Sequence, residues 1–375
     1  MKNMFDYFLE HGNDNFDKLP FNEVDAAILC QLSYLNLEIL VPKLEDNKEH
    51  LSILEFNHEE LFEPLTQGVF AANDNKRMLK AIFESKRFET LMLNYIDFNT
   101  CFEAKEQFYA VTFIIDNVAY ITYRGTDMTL VGWREDFDMA YMKEVPAQKK
   151  ALEYLNRVSN ITNLELGIQG HSKGGNLAVY ASMYSSKEIK NRITHIYDFD
   201  GPGFNEHVYD LDEYKEIEDK VLRRIADKTV IGLLMYHTDK YELVKTSSVS
   251  ILRHLLFNWH VNKGGTFRRA AKLDFNSQVI ASTVISYLAV SDADERRDFV
   301  NKLFYLLEEN PKLTLFDVKN NLKGYTKSIS RRYREMTKDD KSLFKNYVIK
   351  LRKAYVEGIK EGLKQRLIKN NPSIK

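Results

Sequence analysis

Residues 167–175 read GIQGHSKGG, and within them Gly170, His171, Ser172, Lys173 and Gly174 form a G-x-S-x-G pentapeptide. A serine hydroxyl is a poor nucleophile at neutral pH. Chemistry at such a serine needs a base to take its proton and donors to receive the oxyanion that forms. The pentapeptide alone is a weak signal, because long chains contain it by chance; its context decides. Residues 164–169 read as a strand and GGNLAVYASMYSS as a helix, so the motif falls on a strand–turn–helix. A turn that sharp forces strained dihedrals on Ser172 and pushes its Oγ out at the carboxyl end of the strand. The helix behind it offers unpaired N–H groups and a dipole that favours developing negative charge.

A second group of residues lies upstream, in ITYRGTDMTLVGWREDF. A tetrahedral intermediate needs two donors placed beforehand. One is the backbone N–H of Lys173, directly after the serine. The other should come from a loop that follows an earlier strand, and Thr126 sits at such a strand end with both an N–H and a hydroxyl to give. Arg124 and Asp136 are expected to pair beneath that loop and hold it.

These residues need elements to position them. Residues 1–20 are polar and read as loose. PFNEVDAAILCQLSYLNLE starts a helix capped by Asn22. Residues 50–100 read as amphipathic helix, most clearly KRMLKAIFESKRFETLML. The period then changes: EQFYAVTFIIDNVAYITYRGT alternates and reads as two strands joined at Asp116-Asn117. PAQKKALEYLNRVSN is a helix with Pro146 at its start. ITHIYDFDG is a strand, and KTVIGLLMYH reads as another. Strands alternating with helices at this spacing imply an α/β fold with a mostly parallel central sheet. After Gly264-Gly265 the chain turns helical and stays so. The expected organisation is an N-terminal helical segment at 1–100, an α/β core at 101–263 and a basic helical region at 264–375.

YRGT…W..D followed by GHSKGGNLA resembles the class 3 lipases, the fungal-type branch of the α/β-hydrolases. It is closer still to a lipase-like bacterial family of unknown function, whose members share patterns like FNEVDAAILCQLSYL, GHSKGGNLA and DFDGPGF. The resemblance covers about residues 20–262. It implies an α/β-hydrolase fold and a serine esterase or lipase-like activity. Ser172 would be the nucleophile, and Thr126 with the Lys173 N–H the oxyanion hole. This sequence departs from the lipases in three ways. Lys173 replaces the usual apolar residue after the serine, DKTVIGLL stands where an Asp-x-Val-Pro acid motif is expected, and no apolar lid is evident in DMTLVGWRED. The departures weigh against long-chain triglyceride as substrate more than against hydrolysis.

In that fold the chain order is Ser, acid, His. His195, His207, His237, His254 and His260 follow the serine. Only His254 and His260 come after the last expected strand. His254 is the expected base, because related lipase-like sequences place a histidine a few residues before a Trp, here Trp259; His260 is the runner-up. The expected acid is Asp200, at the end of the strand after the nucleophile's helix, where some lipases carry theirs before a Pro/Gly turn. Asp239 and Asp227 are alternatives, near the class 3 position.

The composition sets outer bounds. The chain has 375 residues, 44% hydrophobic, and a formal net charge of −1. It has ample apolar material for a core, and whole-chain charge gives no reason to expect a nucleic-acid partner. Residues 264–375 nonetheless hold 24 Lys and Arg against 13 Asp and Glu. That asymmetry allows peripheral membrane contact and motivates a rival reading, in which a non-catalytic hydrolase scaffold binds a partner, a membrane surface or nucleic acid through its basic helices. A third reading has those helices cap the active site. Two cysteines, Cys30 and Cys101, argue against a disulfide framework, and the N-terminus reads as no signal peptide. A cytoplasmic protein is expected. No H-E-x-x-H, Cys pair or Walker loop is present, so no metal or cofactor is expected; the expected ligand is a small-molecule or lipid ester.

Overall fold

Alternation of apolar residues fixes the centre of the fold. The computed structural model describes residues 2–41, 43, 49–101, 106–127, 129–247, 253–308, 310 and 313–370. Among them, eight strands pair strictly in chain order. They are β1 (Leu51–Ser52), β2 (Met92–Cys101), β3 (Glu106–Ile115), β4 (Val118–Tyr123), β5 (Glu165–His171), β6 (Ile193–Phe199), β7 (Val221–Ala226) and β8 (Glu242–Val244). The pairings from β1 to β4 are antiparallel, and those from β4 to β8 are parallel. The β3–β4 turn at Asp116-Asn117 is tight, with Asp116 in the left-handed region at φ 51°. A small hairpin, β9 (Val261–Asn262) with β10 (Thr266–Phe267), follows.

Both faces of the sheet are covered, and β3 shows why its sequence alternates. Tyr109, Val111 and Phe113 join a core with the N-terminal helices; Phe108 and Ala110 join a second core on the other face. The first face receives α1 (Met4–His11), α2 (Glu23–Leu32), α3 (Glu59–Thr66) and α4 (Ala72–Phe83). The connections carry α5 (Leu130–Asp138), α6 (Pro146–Ile161), α7 (Lys173–Tyr184), α8 (Lys187–Arg192) and α9 (Asp212–Lys215), with α6 and α7 filling the second core. The chain ends in α10 (Phe275–Ala289), α11 (Ala293–Leu307), α12 (Leu315–Asn320), α13 (Leu322–Glu335) and α14 (Lys338–Asn370). No described helix is long and apolar enough to cross a membrane.

Three sequence expectations are corrected. Residues 1–20 are not all loose: Asn3 caps α1, which buries Met4, Phe5, Tyr7 and Phe8. Residues 50–100 are not all helical. α4 stops at Phe83, and residues 92–101 pair with β3 on either side of a bulge between Asn94 and Asp97. Apolar spacing in KRMLKAIFESKRFETLML persists past the helix end, because Phe88, Leu91 and Leu93 beyond it enter the same core from a 3₁₀ turn and the start of β2. KTVIGLLMYH forms a turn with one 3₁₀ segment at Ile231–Leu233, and the strand lies earlier, at β7. The apolar residues of that turn line a cavity instead.

Candidate active site

Ser172 occupies the bend between β5 and α7 with φ 59° and ψ −133°, a region that costs an L-residue about 1–3 kcal/mol. The surroundings hold it there. Its N–H donates to the Phe199 carbonyl at 2.9 Å, and its own carbonyl accepts from the Gly175 N–H at 2.9 Å. A Cβ at Gly174 would lie 2.1 Å from the Tyr123 carbonyl oxygen, so only glycine lets α7 approach β4 this closely.

Asp200 ends the strand direction of β6 with φ 56°. In a regular strand its side chain would share a face with that of Asp198. The left-handed residue breaks that repeat, and the two carboxylates serve different groups. Asp198 Oδ1 accepts from the Gly201 N–H, and Oδ2 lies 3.5 Å from Arg223. Asp200 Oδ2 accepts from His254 Nδ1 at 2.7 Å and from Thr229 Oγ1 at 2.7 Å, and Oδ1 accepts from the Ala226 N–H at 3.2 Å. The carboxylate is fully buried, whereas the His254 side chain keeps 15% exposure. A buried acid thus fixes the proton of His254 on Nδ1 and leaves Nε2 as the available base.

The alternatives stand elsewhere. Asp227 Oδ1 is occupied by the N–H and hydroxyl of Thr246, and Asp239 is exposed. His260 is buried with neither ring nitrogen hydrogen-bonded among the described residues.

A residue without an assigned role in the sequence orients His254. His171 Nε2 lies 2.8 Å from the His254 carbonyl oxygen, which can only accept, so Nε2 carries the proton. Nδ1 then accepts from the Tyr34 hydroxyl at 2.9 Å. Burial pushes His171 well below the usual imidazole range and keeps it in this neutral form. The two imidazoles lie 4.4 Å apart. His171 was visible inside the pentapeptide, but its partners lie 137 and 83 residues away.

The RGT loop meets Ser172 directly: a Cβ at Gly125 would lie 2.9 Å from Ser172 Cβ. Thr126 Oγ1 donates to Asp136 Oδ2 at 2.7 Å. The expected Arg124–Asp136 pair does not form. The Arg124 guanidinium instead lies 3.8 Å from the Tyr109 ring centroid, and Thr126 takes the carboxylate. Lys173 supplies the first N–H of α7, while its ammonium is buried on Glu135 of α5 at 2.8 Å and on the Gln107 carbonyl at 2.9 Å. Glu135 also accepts from the Gln107 and Ala147 N–H groups. The lysine that departs from the lipase pattern therefore ties the α7 N-terminus to α5.

Burial pushes the Asp136 carboxyl up to about 6, against the opposing pull of the Lys173 ammonium, and Oδ1 has no hydrogen-bond partner. Its folded pKa exceeds its unfolded value, so its stabilisation is complete at low pH and is lost as pH rises through about 6. Asp136→Asn removes this titration. Its stability relative to wild type is expected to rise by up to ~3 kcal/mol between pH 4 and pH 7.5 and then level off. Urea unfolding of both proteins across that range measures it.

Ser172 stands at the junction of two cavities. One, of about 460 Å³, is walled on one side by Trp133, Leu234 and Met235 and on the other by Leu288 of α10, Phe299 of α11 and Val348 of α14. The other, of about 140 Å³, contains His254, His171, Tyr34, Thr126 and Ser172. Among the described residues Ser172 Oγ makes no hydrogen bond, and it shares this second cavity with the His254 ring. The C-terminal helices reach the site by clasping α5: the Leu130 N–H donates to the Leu313 carbonyl at 2.9 Å, Arg134 bonds Asn301, and Phe137 packs edge-on to Phe304.

The sheet order, the bend at Ser172 and the helices on both faces are those of an α/β-hydrolase fold. The chain belongs to the Mbeg1-like family, whose model matches residues 82–305. No curated relative matches the sequence. Among solved structures it is similar to the Rhizomucor miehei lipase propeptide complex, with 13% identity over 58% of this chain and 66% of that one (TM-score 0.34). It thus spans just under two thirds of that lipase. It is also similar to a fungal lipase, with 10% identity over 60% of this chain and 78% of that one (TM-score 0.35). A mutant form of MDLA from Penicillium cyclopium matches at 12% identity over 64% of this chain and 84% of that one (TM-score 0.35).

Proposed function

We propose that this protein is a carboxylic-ester hydrolase in which Ser172 is the nucleophile, His254 the base and Asp200 the acid. The observation that carries this reading is the 2.7 Å bond from His254 Nδ1 to the buried Asp200, on a histidine that shares a cavity with a serine held in a strained bend. His254 Nε2 takes the serine proton as Oγ adds to the ester carbonyl. The N–H groups of Thr126 and Lys173 receive the oxyanion. Collapse breaks the acyl–oxygen bond, and His254 returns the proton to the leaving alcohol. Water, deprotonated by His254, then releases the acid and restores Ser172.

The 460 Å³ cavity supports an apolar acyl group as substrate. Its wall of C-terminal helices supports the capping role for residues 264–375 over a detached binding module. A fluorophosphonate probe tests the mechanism. The wild-type protein is expected to be labelled at Ser172 and to hydrolyse p-nitrophenyl acyl esters, and folded Ser172→Ala to do neither. A folded wild-type protein that neither labels nor turns over would favour the non-catalytic scaffold.

A further inference from the structure

A third cavity adjoins the His254 side of the site. It has a volume of about 230 Å³, and it shares Tyr34, Phe70, Thr126 and Asp127 with the cavity that holds Ser172 and His254. Its lining differs sharply from that of the acyl cavity. Arg124, Glu38 and Asn36 face it.

Arg124 is the unusual member. Its backbone N–H is bonded to the Tyr109 carbonyl at 3.0 Å and its guanidinium stacks on the Tyr109 ring, yet among the described residues the side chain makes no hydrogen bond or ion pair. Its Nε is buried without a partner. A buried guanidinium donor left unmade is costly, whereas a bidentate oxyanion satisfies it with good geometry. Arg124 is also two residues before Thr126, so whatever it binds is held beside the proposed oxyanion hole, on the side away from the acyl cavity.

The neighbouring charges narrow the ligand. Glu38 Oε2 accepts from the Tyr109 hydroxyl at 2.9 Å, and Asp127 Oδ1 accepts from the N–H and hydroxyl of Thr129 at 2.7 and 2.6 Å. Two carboxylates beside one guanidinium disfavour a bare polyanion. They suit a head group with one anionic and one cationic end.

Resting on the serine-hydrolase reading above, we propose that Arg124 and Glu38 form a subsite for the leaving alcohol, and that this alcohol bears a zwitterionic phosphodiester head. The substrate class is then a single-chain acyl ester of a glycerophospho-amino-alcohol. Its chain occupies the 460 Å³ cavity, its ester carbonyl lies at Ser172, its phosphodiester binds Arg124 and its ammonium faces Glu38.

The test compares hydrolysis of a lysophosphatidylcholine with that of the monoacylglycerol of the same chain, by released fatty acid, for the full chain. Wild type is expected to favour the phosphodiester in kcat/KM by about tenfold or more, the worth of a charge-assisted bond. Arg124→Gln is expected to erase most of that ratio through KM, and Arg124→Lys to retain part of it. Equal kcat/KM for the two esters in wild type, or a ratio unchanged in Arg124→Gln, overturns the proposal. Should Arg124→Gln fail to fold, glycerophosphocholine decides with wild type alone. Competitive inhibition of monoacylglycerol hydrolysis well beyond that by glycerol supports the subsite, and equal inhibition removes it. Loss of the hydrolase reading looks different: neither ester is cleaved and Ser172 is not labelled.

Discussion

His254→Ala is expected to lower kcat for a p-nitrophenyl acyl ester by about 10⁶-fold, as for loss of the histidine in other serine triads, and Asp200→Asn by about 10⁴-fold. The difference follows from the geometry. Without His254 the proposed base is gone from the Ser172 cavity; of the other titratable groups that line it, Asp136 holds Thr126, and His171 is tied to the residue 254 carbonyl and to Tyr34. Without the Asp200 charge the imidazole remains but loses the acceptor that fixes its Nδ1 proton. The rival residues make this selective. Asp227 holds Thr246, and His260 lies outside the Ser172 cavity. Asp227→Ala and His260→Ala are therefore expected to lower stability and to leave kcat within a few-fold. A 10⁴-fold loss in either, with His254→Ala active, would reassign the base or the acid. Burst kinetics with the chromogenic ester, alongside thermal unfolding of each variant, separates these outcomes.

The second large effect is on stability. Lys173→Met is expected to cost about 3–5 kcal/mol, because Glu135 is then left as an uncompensated charge in a buried site. The two side chains are 1% and 0% exposed, so water cannot replace the lost partner. Lys173→Met/Glu135→Gln removes both charges and is expected to recover much of the loss, since an amide at 135 still accepts one of the backbone N–H groups. Urea unfolding of the two single variants and the double variant gives the coupling energy directly. A coupling within a few tenths of a kcal/mol of zero would mean the pair does not hold α5 to α7. The pair also links the proposed oxyanion N–H to α5, the helix clasped by the C-terminal region, so the recovered double variant is expected to keep the Ser172 bend and react with fluorophosphonate.

Much of the setting of Ser172 was legible because its causes are local. A strand, five residues with two glycines and a helix are enough to force a bend at Ser172, and each piece is read from its own neighbours. The β3–β4 hairpin was legible for the same reason: period-two alternation around Asp116-Asn117. β2 was not, since the bulge between Asn94 and Asp97 interrupts its alternation and leaves too short a regular run to oppose a helical reading. The pairing of Arg124 with Asp136 failed because opposite charge in sequence does not say which donor reaches a buried carboxylate first; Thr126 does, and Arg124 is left on Tyr109.

The amino-acid order by itself determined an α/β-hydrolase with a strained serine at a strand-to-helix bend, and it ranked His254 and Asp200 first among their alternatives. Only the tertiary structure decided that Asp200 meets His254, that His171, bonded in turn by Tyr34, holds the His254 backbone carbonyl, and that α10, α11 and α14 wall the 460 Å³ cavity. The reason is distance along the chain. Bends and alternation are set by steric preferences within a few residues, whereas partners 54, 83 and 137 positions apart meet only when the whole sheet and its covering helices close on one core.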